Sequence, residues 1–98
     1  LLPVVLRDYG PAAHRKLARL AELVGLPGGT DGEKADAFID VILVMNARLG
    51  IPTGFSCIRE EDLPQMAAWA AKEANPTYPV PVIYDRERFI RVIRQVMQ

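Results

Sequence analysis

Apolar residues recur along this chain at helical spacing and lose that rhythm at glycines and prolines. From Pro11 to Val24, Ala13, Leu17, Leu20, Ala21 and Val24 share a helical face, while His14, Arg15, Lys16 and Arg19 take other directions. Gly25 ends that helix and "LPGG" is a loop. "TDGE" then has the form of a capping box, with the Thr30 hydroxyl at the N-cap and Glu33 reaching back to it. The helix it opens runs over 31–49, stopped by Gly50 and Pro52. Its middle, "FIDVILVM", is β-branched enough for a buried strand, but the two end signals frame a helical length. With apolar residues in nearly every direction, it is expected to be the central and most buried helix.

Residues 51–59 read as a loop. "REED" opens a further helix over 60–74, with Leu63, Met66, Ala67, Ala70, Ala71 and Ala74 inward. Pro64 is tolerable there because the first turn has no use for its missing N–H. "NPTYPVPV" is extended. Asp85 caps a last helix over 85–97, with Phe89, Ile93, Val96 and Met97 on one face and Arg86, Arg88, Arg91 and Arg94 on the solvated one. Leu1 to Leu6 suits either a short strand or the last turns of a helix; we expect a helical end over 1–7, closed by "DYGP". The predicted fold is all-α: one domain over 1–98, a compact bundle of about five helices.

Composition narrows the function. The 98 residues are half apolar, with twelve basic and twelve acidic side chains, which excludes a disordered tail and leaves no electrostatic footprint for nucleic acid or an anionic membrane. No apolar run reaches the ~18 residues of a membrane span. "LLPVVL" lacks the flanks of a signal peptide, and the lone Cys57 excludes an internal disulfide and suits a cytoplasmic location. A chain this short buries only roughly 60–65% of its unfolded surface, so its stability is marginal without a partner. It opens on apolar residues with neither a methionine nor a cap, so we expect a fragment of a longer protein.

Candidate chemistry is sparse. Glu60, Glu61 and Asp62 lie where a helix dipole favours acids, and neighbours on a helix point about 100° apart, so they do not converge on one proton or ion. His14 is the only histidine and reads as solvent-facing; one imidazole is not a metal site. Cys57, with no His or Cys beside it, reads as a buried or half-buried thiol rather than a nucleophile. Trp69, Tyr78 and Tyr84 are too few for a nucleic-acid stacking platform. No glycine-rich nucleotide turn, HExxH or GxSxG is present.

The order of the motifs is more telling. Leu49-Gly50-Ile51-Pro52, a loop, Glu60-Glu61-Asp62-Leu63-Pro64, a run of alanines and Asn75-Pro76 resemble the C-terminal region of the iron-containing (group III) alcohol dehydrogenases. "LLPVVL" looks like that family's Leu-Pro-x-Val helix, although Asp8, Tyr9 and Gly10 replace the usual Phe-Asn after it.

The resemblance implies the helical C-terminal domain of an enzyme that moves a hydride between a primary alcohol or aldehyde and NAD(P), with Fe²⁺ or Zn²⁺ polarising the substrate oxygen. It also implies an N-terminal dinucleotide-binding domain as partner and a homo-oligomer. The family's metal ligands, an Asp and three His, would all fall upstream of Leu1. The chain would then have no catalytic, cofactor or metal residue of its own and would be inactive alone. Ala74, Asn75 and Pro76 are the cleft-lining candidates this implies. The rival reading is a free-standing helical interaction module that echoes these motifs.

Overall fold

The computed structural model describes residues 1–75 and 79–97. Regular structure among them is helical: α1 (Leu2–Tyr9), α2 (Pro11–Leu23), α3 (Asp31–Arg48), a 3₁₀ turn (Glu60–Asp62), α4 (Leu63–Ala74) and α5 (Arg86–Gln95). The first residues are therefore helix rather than strand, with Pro3 in the first turn, where it displaces no intrahelical donor. "FIDVILVM" lies within α3. The helices fall into two compact units, Leu2–Pro52 and Thr53–Gln98, of which the second also takes in Leu1.

In the unit Leu2–Pro52, α2 packs on α3 around buried Ala13, Leu17, Ala35 and Ile39, with Leu6, Tyr9, Phe38 and Leu43 partly buried beside them. Three of α2's four buried residues are alanines, and such small side chains let helix backbones approach closely. This packing also corrects the expected face of α2. Ala18 is buried, whereas Leu20 and Val24 are exposed, because the contact is turned toward the alanines. Arg7 of α1 reaches Asp40 of α3 at 2.8 Å, and Lys34 of α3 reaches Glu22 of α2 at 2.5 Å.

The ends of α2 and α3 follow one rule. Gly25 N–H donates to the Glu22 carbonyl and Leu26 N–H to that of Ala21; Gly50 and Ile51 repeat this on Ala47 and Asn46. These are Schellman closures, and they need a left-handed residue at the turn, supplied by Gly25 (φ 78°) and Gly50 (φ 74°). At the start of α3 the Thr30 hydroxyl accepts from Glu33 N–H at 3.1 Å. The return bond differs from the expected box, since the Glu33 carboxylate takes Gly29 N–H at 3.0 Å, one residue before the cap.

Helix α3 is not buried all round. Ala35 and Ile39 are enclosed, but Val44 and Met45 are about half exposed (52% and 53%) and Leu49 more so. Within this unit α1 and α2 pack on one side of it, and Val44 and Met45 lie on the other.

In the unit Thr53–Gln98, α4 packs on α5 through Leu63 and Ala67 of α4 and Val92 of α5, with Tyr84 and Val96 also buried. The face of α5 is thus centred on Val92 and Val96, with Phe89 and Ile93 at its margins. Asp85 caps α5 as expected, accepting from Arg88 N–H at 2.8 Å. The loop before α4 is anchored by Phe55 N–H, which donates to the Val96 carbonyl at 2.7 Å.

The acids "EED" form a 3₁₀ turn rather than the first α-turn. Pro64 accounts for this. An α-helix through Glu60 would need an N–H at position 64 to reach the Glu60 carbonyl, and proline has none. Leu63 N–H takes that carbonyl instead, one residue earlier, which is the tighter 3₁₀ bond.

Candidate functional site

The cleft-lining candidates sit where α4 ends. Ala74 is the last residue of α4 and is half-buried. Asn75 follows it with extended dihedrals (φ −104°, ψ 127°), its N–H still donating to the Ala71 carbonyl at 3.0 Å. The chain therefore leaves the helix sharply at Asn75. Pro76 lies outside the described residues.

Asn75 is also tied down from the far end of the following segment. Its side-chain amide donates to the Tyr84 carbonyl at 3.2 Å. Tyr84 is itself well held: the residue is 6% exposed, and its ring meets Phe89 edge-on at 5.2 Å between centroids and lies under the Arg88 guanidinium at 4.9 Å. One hydrogen bond thus ties Asn75 to Tyr84, and the aromatic and cation contacts hold Tyr84 against α5. Sequence reasoning picked out Asn75 but missed Tyr84 as its anchor. The available signal was its position directly before the Asp85 cap of α5.

An amide and a methyl group supply neither a nucleophile nor a titrating proton. Asn75 and Ala74 can shape a surface and offer hydrogen bonds, and that bounds their chemistry.

The remaining candidates stand apart from one another. Cys57 is exposed, which corrects the buried or half-buried thiol expected; it lies in a short loop too open to enclose it. His14 is half-buried rather than solvent-facing, because the first turn of α3 lies against it: a Cβ placed on Gly32 would stand 3.5 Å from the imidazole ring. Glu60 pairs with Arg94 of α5, whose Nε lies 3.4 Å from Glu60 Oε2 and whose second donor meets Oε1. The arginines of α5 are accordingly not a purely solvated face: Arg94 holds the start of the α4 segment and Arg88 stacks on Tyr84.

Electrostatics elsewhere are local. The Lys34 ammonium bonded to Glu22 holds that carboxyl below the usual range, and the same bond raises Lys34. A groove of about 480 Å³ beside this pair is lined by Arg15, Lys16 and Arg19 with Glu22 and Asp31, a mixed set rather than a purely cationic anion site. Among the described residues no three His, Cys, Asp or Glu side chains come together. That donor set does not fit a Fe²⁺ or Zn²⁺ shell, which uses three or more protein ligands. No described helix is long and apolar enough to cross a membrane.

Such a structure belongs to the class of all-helical domains. Residues 1–97 match the model of the Fe-containing alcohol dehydrogenase family, C-terminal, and the chain belongs to that family. Neither curated proteins nor solved structures give a significant match.

Proposed function

We propose that this chain forms one wall of the catalytic cleft of an oxidoreductase that transfers a hydride between a primary alcohol or aldehyde and NAD(P). The observation that carries the reading is the family match over residues 1–97. In this reading the metal, Fe²⁺ or Zn²⁺, and the NAD(P) are held by residues outside this chain, in an N-terminal dinucleotide-binding domain and the segment after it. The chain's own contribution is positional. Ala74, Asn75 and Pro76 line the cleft, with Asn75 fixed by its bond to the Tyr84 carbonyl so that the surface beside the substrate keeps its shape.

Calorimetric titration of the 98-residue chain with Zn²⁺, and separately with NADH, tests the division of labour. The expected result is no stoichiometric binding of either and no alcohol oxidation. Tight one-to-one binding of Zn²⁺ or NADH would place the reactive groups within the chain and overturn the reading.

A further inference from the structure

The apolar side of α3 that faces away from α2 carries a pattern beyond mere exposure. Asp40, Val41, Val44, Met45 and Arg48 line a shallow groove of about 390 Å³. Asp40, Val44 and Arg48 recur at four-residue steps and so stack along one line of the helix. The line begins with a carboxylate, ends with a guanidinium and has a valine midway.

That order is self-complementary. When two copies of α3 lie antiparallel about a two-fold axis through Val44, the residue four before the axis on one copy meets the residue four after it on the other. Asp40 then faces Arg48 of the second copy, and Arg48 faces its Asp40. Two opposite-charge pairs flank a centre of Val44, Val41 and Met45. A parallel arrangement would instead set Asp40 against Asp40 and Arg48 against Arg48. Asp40 already accepts from Arg7, yet a carboxylate has acceptor sites for two guanidinium groups, and the Asp40 side chain keeps 64% of its exposure.

We propose that this face of α3 is a docking surface for a second copy of the chain, in an antiparallel, two-fold α3–α3 contact registered by Asp40 and Arg48. The feature that misled the sequence reading, a helix apolar all round, is thereby explained: one side serves the fold and the other serves the partner. The charges at the two ends fix direction and register, while the valines and methionine supply the apolar contact.

Charge reversal tests the register directly. In Arg48→Glu both cross-pairs become acid against acid, and in Asp40→Lys both become base against base. An equimolar mixture of the two variants restores both pairs. Sedimentation of the native chain from roughly 10 µM to 1 mM covers the range a small helix–helix contact can populate. The native chain is expected to dimerise, each variant alone to lose that association, and the mixture to recover it, with far-UV circular dichroism reporting that both variants remain helical. A native chain that is monomeric throughout would overturn the proposal and give this face to another occupant. Variants that associate as well as the native chain would put the contact elsewhere. Two folded variants whose mixture stays monomeric would rule out the antiparallel register.

Discussion

The side-chain amide of Asn75 donates to the backbone carbonyl of Tyr84 at 3.2 Å, joining the residue that ends α4 to the one that precedes the cap of α5. Eight residues separate the two in sequence. The bond is part-buried, so losing the donor leaves a carbonyl that water only partly reaches.

Asn75→Ala is therefore expected to destabilise by about 0.5–1.5 kcal/mol, the net value of an ordinary hydrogen bond. Asn75→Asp should do more harm, since it replaces the donor with a carboxylate oxygen facing a carbonyl oxygen. Urea midpoints of the three proteins check this. If Asn75→Asp proves as stable as the native chain, the bond to Tyr84 does not form in solution.

Thr30 caps the longest helix through a hydroxyl that accepts from Glu33 N–H at 3.1 Å. Thr30→Ala should cost about 0.5–2 kcal/mol, and Thr30→Ser, which keeps the oxygen, much less. Chemical denaturation separates the two. Equal midpoints for Thr30→Ala and Thr30→Ser would show that the hydroxyl contributes nothing.

How much of this was legible in the sequence depended on whether the signal was local. Helix ends are written in a few consecutive residues, so Gly25, Gly50, Thr30 and Asp85 were readable and act as expected. The direction of a buried face is not local. Ala18 and Val92 are enclosed because of what packs opposite them, and spacing alone favoured Leu20 and Phe89. The turn at Glu60 escaped because Pro64 acts four residues away, on a carbonyl rather than on its own position. At the candidate site, Asn75 was legible as part of a motif, whereas its partner Tyr84 is reached only by the return of the chain.

Burial within α3 is graded, and that grading is measurable. Ile39 is 2% exposed in the contact with α2, whereas Ile42, one turn on, is only half-buried. Ile39→Ala should cost about 2–5 kcal/mol, since it removes methyl and methylene groups from a closed site, and Ile42→Ala distinctly less. Denaturation midpoints measured at a concentration low enough to keep the chain monomeric rank the two. The reverse order would mean that α3 is rotated about its axis relative to α2.

The Glu22–Lys34 pair gives a pH signature with a fixed sign. Lys34 donates to Glu22 at 2.5 Å, lowering the carboxyl and raising the ammonium in the folded chain. A carboxyl lowered by folding adds stability above its unfolded pKa and loses it as pH falls through the folded value. An ammonium raised by folding adds stability below its unfolded pKa and loses it as pH rises through the folded value. The contribution is thus present across the neutral range and fades at both ends, in acid through Glu22 and in strong base through Lys34. Both groups lie at the surface, so the effect on overall stability is small and screened by salt. The sharper readout is Glu22 itself, followed by carbon-detected NMR of its side-chain carboxyl. In Lys34→Met its titration midpoint should move up toward the ordinary carboxylate range, because the bonded ammonium is the chief cause of the lowering. A midpoint that does not move would assign the lowering to Arg19, the other cation acting on Glu22, and remove Lys34 from the account.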